Sequence, residues 1–289
     1  MPNSNKTILG AFVQTRPKFG KNLENIEHAI KLASKVKADL YVFPELCNTG
    51  YAFTSKEEAR ALSESLQTGP SVEALQSFSE KSESALVAGL AEASDGKVFN
   101  SAIVIDNGKP LGVYRKTHLF FREKLWFEPG DTGFKIFELE RVGCKVGPII
   151  CFDWFFPEAS REVAILGADV ICHPANLVLP GKAQLGMLVR AFENRVFVIT
   201  ANRIGIENRS PEDKFRYTGK SQIVSPTMEK LATAKSNESV AKSARLDLEL
   251  ARKKKVTSMN DALADRRIEF YKEQYQSLRL NPELTISEK

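Results

Sequence analysis

The segment GPIICFDWFFPE, residues 147–158, runs from an apolar stretch into a lone thiol, Cys151, and follows it with one acid, Asp153, among four aromatic rings. Pro157 and Glu158 then open PEASREVAILGAD, with proline at the first helical position and Gly167 at the end. A short buried strand, an abrupt turn and a helix together make one unit of an α/β fold. The cysteine at the turn has two readings. Free cysteine is most often a small buried hydrophobe. Strand ends are also where open α/β sheets gather ligand-binding groups, and a thiol there can attack. Residues elsewhere in the chain decide between the two.

The same alternation extends in both directions. TILGAFVQT (7–15) reads as a strand, and NLENIEHAIKLASKV (22–36) as an amphipathic helix with Leu23, Ile26, Ile30 and Ala33 on one face. LYVFPEL (40–46) is a strand broken by Pro44, and residues 55–66 and 71–82 are helical in pattern. ALVAGLAE and FNSAIVID form two strands about the turn ASDGKV, and NGKP leads into LGVYRK. FKIFELE and CKVGPIICF flank Gly143 as a hairpin. Beyond the helix at 157–166 come strand DVICHP, helix LGMLVRAFEN, strand RVFVITANR, and late strands in GKSQIVSP and SVAKSARLDL. This order predicts one α/β domain over residues 1–289 with largely buried sheets and a polar C-terminal tail from about residue 248.

Composition narrows the function. The 289 residues are 43% apolar and 27% charged, with a net charge of +5, an ordinary globular profile. The one basic run, RKKK at 252–255, is no stripe interleaved with aromatics, so nucleic acid is not expected as a partner. No stretch reaches the roughly 18 apolar residues of a membrane span, and none resembles a cleaved leader. Cys47, Cys144, Cys151 and Cys172 have no paired spacing, which points to a reducing, cytoplasmic setting rather than a disulfide scaffold.

Two further reactive groups share the position of Cys151. Glu45 closes LYVFPE and Lys116 closes LGVYRK. Alone, the first could be a helix cap or a surface acid and the second a solvated cation. Together with the thiol they form a complete chemical set: a nucleophile, a base for its proton, and a cation for an oxyanion. A nearby ammonium is also expected to lower the thiol pKa. A cysteine–histidine hydrolase would have to use His28, His118 or His173. His28 lies on a surface helix, His118 is two residues beyond Lys116, and His173 ends a strand near the nucleophile. No ligand pair has metal-site spacing.

In the order glutamate, lysine, cysteine, the segments VFPELCNTGY, YRKTHLF and GPIICFDWFFPE resemble the nitrilase superfamily of carbon–nitrogen hydrolases. GLAEASDGKVFNSAIVID, REKLWFEPGD and RAFENRVFVITANRIG extend the resemblance from GAFVQT almost to NDALADRRIEFY. It implies a four-layer αββα sandwich, paired into a homodimer or higher oligomer, working without cofactor or metal. It makes Glu45 the general base, Lys116 the oxyanion stabiliser and Cys151 the nucleophile. Glu123 (in preference to Glu128) becomes the second, orienting glutamate, and the Phe152 main-chain N–H joins the oxyanion hole. Asp153 and Arg161 are structural members of the nucleophile motif, and Tyr51, Trp154, Asn176 and Phe120 are pocket walls. Relatives that grip a substrate carboxylate place an arginine just beyond the cysteine, where this chain has CFDWFF. Nitrile-specific branches show Cys-Trp-Glu where this chain has Cys-Phe-Asp. The resemblance therefore implies a small uncharged amide as substrate, with a small aliphatic nitrile and an N-carbamoyl compound as alternatives.

Overall fold

The computed structural model describes residues 7–210 and 213–279. The first half supplies β1 (Thr7–Gln14), β2 (Leu40–Val42), β3 (Ala85–Ser94), β4 (Lys97–Asp106), β5 (Lys109–Arg115) and β6 (Phe137–Leu139). The second supplies β7 (Cys144–Pro148), β8 (Val170–Pro174), β9 (Phe197–Ala201), β10 (Ile204–Ser210), β11 (Asp213–Thr218), β12 (Gln222–Val224), β13 (Lys230–Thr233) and β14 (Val240–Asp247). The helices are α1 (Asn22–Ala33), α2 (Lys56–Leu62), α3 (Pro70–Lys81), α4 (Glu123–Trp126), α5 (Pro157–Ile165), α6 (Lys182–Asn194), α7 (Leu248–Arg252) and α8 (Ile268–Arg279).

Two six-stranded sheets form, in the orders β14-β1-β2-β3-β4-β5 and β13-β12-β9-β8-β7-β6. β1–β2–β3 and β7–β8–β9 are parallel and the remaining pairs antiparallel. Side-chain alternation sorts each strand between two cores. Phe12, Val42, Val87 and Val104 of the first sheet pack against Val146, Val170, Phe197 and Ile199 of the second. The opposite faces take helices. Val13, Tyr41 and Leu86 meet Ile26 and Ala29 of α1 and Leu75 and Phe78 of α3. Ile149, Ile171 and Val198 meet Val163 of α5 and Met187 and Ala191 of α6. The layers are therefore αββα.

Local chemistry fixes the hairpins. Asp95-Gly96 and Asn107-Gly108 all have positive φ (50°, 73°, 47° and 79°), the two-residue turn that matches strand twist. The β10–β11 ribbon stands apart from both sheets and was not foreseen. Its strands IGIENRS and DKFRYT carry too few apolar residues to show a buried face. The chain divides into two compact units at Lys253/Lys254, and Leu248 and Ala251 of α7 are buried in the core between the sheets. Among the described residues no helix is long and apolar enough to cross a membrane.

Candidate active site

Glu45 is placed by a strand that stops. Pro44 has no N–H for the ladder, and the chain leaves β2 by crossing the face of β3 at Gly89. Gly89 N–H donates to Pro44 O (3.1 Å) and Cys47 N–H to Gly89 O (2.8 Å). A Cβ on Gly89 would stand 2.5 Å from Glu45 Cα, so only glycine lets the acid lie this close to the sheet. Leu46 takes φ +45°, a strained conformation for a branched residue.

Lys116 follows β5 directly, its N–H bonded to Asn100 O at 2.8 Å. Its Nζ donates to Glu45 Oε1 (2.7 Å) and to Glu123 Oε1 and Oε2 (2.8 and 2.7 Å), with all three side chains out of solvent. Burial disfavours the ammonium, but Glu123 and then Glu45 more than offset it and hold the lysine above its ordinary pKa. Asn100 Nδ2 also donates to Glu45 Oε1, at 2.7 Å. Glu45 Oε2 is left without a partner. Glu123 accepts from Tyr51 OH (2.7 Å) and the Phe120 N–H (3.2 Å). Burial and the Glu45 charge raise its pKa, to about 7, against the pull of Lys116. Glu128 instead pairs with Lys56 at the surface (3.0 Å).

Cys151 lies three residues past the last β7 pairing and opens a 3-10 turn, Cys151–Phe155, with φ +40°. Asp153 pins the turn from within. It accepts from Ile150 N–H (2.8 Å) and Tyr114 OH (2.7 Å), and His118 Nδ1 lies 2.7 Å from its other oxygen. His173 Nε2 lies 3.0 Å from Cys151 O, and because a carbonyl only accepts, the proton is on Nε2. Nδ1 then accepts from Thr200 Oγ1 at 3.1 Å. Two of the three histidines thus brace the cysteine turn, while His28 is exposed on α1.

Burial lowers the His173 pKa to about 4, so the ring is neutral at pH 7. The unfolded chain, with an ordinary pKa near 6.5, binds more protons below that value, so stability is complete above pH ~6.5 and falls toward pH 4. Between pH 7 and 5 this one group should cost about 2 kcal/mol. Urea unfolding at the two pH values should show that much less acid sensitivity in His173→Gln than in the parent. Equal sensitivity would contradict the buried neutral ring.

The thiol itself departs from the sequence expectation. Lys116 does pull its pKa down, but burial and the Glu45 charge push harder, and the net shift is well upward. Burial therefore favours the protonated form of the Cys151 thiol. Attack by this sulfur would require a base to take its proton.

A cavity of ≈ 20 Å³ opens onto Cys151, walled by Phe120, Phe152, Trp154, Asn176 and Leu177 among others. Three of the four residues expected as pocket walls, Phe120, Trp154 and Asn176, line this cavity. Tyr51 differs, since its hydroxyl is committed to Glu123. Asn176 is 3% exposed, and neither atom of its amide has a partner. Three supporting residues were missed. Asn100 was hidden in an ordinary alternating strand. Arg203 and Glu207 pair at 2.7 Å, and Glu207 also accepts from Ala52 N–H (2.8 Å) and Tyr217 OH (3.0 Å), anchoring the loop that carries Tyr51. Their signal would have been the unforeseen β10–β11 ribbon. Among the described residues no His/Cys/Asp/Glu group could hold a metal ion.

The carbon-nitrogen hydrolase family model matches residues 10–255. The chain is 44% identical to a nitrilase of Pyrococcus abyssi, over 90% of this chain and 98% of that one. It is 30% identical to an N-carbamoylputrescine amidase of Solanum tuberosum, over 81% and 83% of the two chains. A carbon-nitrogen hydrolase of Helicobacter pylori G27 superposes with a TM-score of 0.78 at 27% identity, covering 93% of this chain and 98% of that one. The chain belongs to the carbon-nitrogen hydrolase family, within the nitrilase superfamily. It is an enzyme of that class.

Proposed function

We propose that this enzyme releases ammonia from small uncharged amides through a thioester on Cys151. The observation that carries the reading is the unpartnered Glu45 Oε2 in a site whose burial favours the protonated thiol. Glu45 takes the thiol proton as sulfur bonds to the amide carbon. Protonation removes one negative partner of Lys116, and its ammonium, with the Phe152 N–H, then holds the new oxyanion. Collapse breaks the carbon–nitrogen bond, and Glu45 returns the proton to the departing nitrogen. Glu45 next deprotonates a water that attacks the thioester, releasing the acid and restoring the thiol. Glu123 and Asn100 position Lys116 and Glu45, and Tyr51 positions Glu123.

Asn176 favours the amide over the nitrile. Its two orphaned atoms offer a donor and an acceptor, which a primary amide answers with both complements and a nitrile with an acceptor alone. The nitrile reading is favoured by the relative from Pyrococcus abyssi, which bears the name nitrilase. The N-carbamoyl reading has its support in the amidase of Solanum tuberosum. A panel of amides, nitriles and carbamoyl compounds assayed for ammonia separates the three.

Among the described residues the pocket wall contains no cation, and Lys116 is already engaged by two acids. A substrate carboxylate buried there would stand unpaired, at a cost of several kcal/mol. N-carbamoyl amino acids should therefore have kcat/KM at least ~100-fold below the best neutral substrate, about 2.7 kcal/mol. Faster turnover of an N-carbamoyl amino acid than of any neutral compound overturns this.

We infer that a second copy covers α6. Leu185, Val189 and Phe192 recur at helical spacing and are 62%, 44% and 46% exposed, far more apolar surface than a solvated helix face keeps. Sedimentation should show a dimer or larger, and Leu185→Asp/Phe192→Asp should shift it to monomer. A monomeric parent near assay concentration contradicts the inference. The four cysteines are free and buried, consistent with a cytoplasmic enzyme.

A further inference from the structure

A groove of ≈ 540 Å³ lies beside the catalytic pocket, and Val178 stands in the walls of both. Among the described residues its charged lining is Arg16, Arg216 and Lys220, with no acid. All three are exposed, and among the described residues none forms an ion pair. The acids nearby are engaged elsewhere. Glu24, in the hollow on the other side of Arg16, is held by Lys18, and Glu207 is bound to Arg203. Glu238 is held by Lys242 and the Lys235 N–H.

Uncharged donors complete the lining. Thr218 Oγ1 accepts from Asn202 Nδ2 at 3.0 Å, which leaves its own proton for an acceptor, and Ser236 and Asn237 lie along the same wall. Gly181 is also in the wall. It bounds the N-terminus of the thirteen-residue α6, which has no side-chain cap and no acid in its first turn. The positive end of that helix adds to three cations that have no ion-pair partner among the described residues.

We propose that this groove binds a small phosphate-bearing anion. Converging cations and a helix terminus are best answered by more than one negative charge, and a phosphate group carries about −1.5 to −2 at neutral pH. The two arginine forks can each take two phosphate oxygens, and Lys220 adds a compact charge to the same lining. The site does not depend on which carbon–nitrogen bond the enzyme cleaves. It is distinct from the thiol pocket, whose wall has no cation among the described residues.

Isothermal titration of the full chain with sodium pyrophosphate, at constant ionic strength, tests the groove. Saturable binding is expected, with half-saturation at or below about 1 mM. Arg16→Gln/Arg216→Gln/Lys220→Gln should weaken it by about tenfold or more, near 1.4 kcal/mol. Lys35→Gln/Lys37→Gln/Lys81→Gln removes the same charge from a hollow between α1 and α3 and should leave affinity unchanged. If the groove triple does not fold, Arg216→Gln alone, on an exposed ribbon position, should still weaken binding measurably. Absence of saturable binding by the parent, unchanged affinity in the groove variant, or equal loss in both triples overturns the proposal.

Discussion

Cys151→Ala is expected to lower turnover by about 10⁴-fold or more while the protein stays folded. That loss corresponds to roughly 5 kcal/mol of barrier, the scale of removing the attacking atom from a catalytic unit. The substitution deletes one atom from a buried turn, a cost to stability of about 1 kcal/mol. The turn itself is held by groups that remain: Asp153 on the Ile150 N–H, and His173 on the Cys151 carbonyl. Ammonia release from the best substrate and a urea unfolding curve are the two readouts. Activity within tenfold of the parent would remove Cys151 from the nucleophile's role.

Lys116→Met should be the second largest loss, and it differs by striking stability as well as rate. Glu45 and Glu123 both bond to this ammonium and neither reaches solvent. Without it, two carboxyl groups share one buried site, and breaking such a cluster costs about 3–5 kcal/mol unless a carboxyl takes a proton. Turnover should fall by at least about 10³-fold, because the oxyanion loses its cation. Adding Glu123→Gln removes one of the stranded charges, so the double variant should regain stability without regaining activity. Recovery of both together, or a stable single variant with near-normal rate, would contradict the assigned role.

What the sequence disclosed followed from what strands and turns require. Pro44 and the Asp-Gly and Asn-Gly pairs are backbone instructions that bound the strands leading to Glu45 and Lys116, and Gly167 follows the helix after Cys151. Lys116 bridging Glu45 and Glu123 was expected as a neighbourhood, and the structure supplies the distances. The thiol pKa was not legible. Residue types reveal that an ammonium and a carboxylate are near, but only burial decides which prevails, and here it raises the thiol against Lys116. The support from Arg203 and Glu207 was equally hidden, because the β10–β11 ribbon lacks a periodic apolar face. The roles of Tyr51 and Asn100 depend on which acid each side chain reaches, 72 and 55 residues away in sequence.

The central claim is a covalent acyl-enzyme on Cys151 formed with Glu45 as base. Acid-quenched intact mass spectrometry during turnover of a small amide tests it, in the parent and in Glu45→Gln, where loss of the base slows thioester hydrolysis. The expected result is a mass increase equal to the substrate's acyl group, mapped to the peptide holding Cys151 and absent from Glu45→Gln/Cys151→Ala. Turnover with no adduct in either protein, or an adduct on Cys47, Cys144 or Cys172 instead, would contradict it.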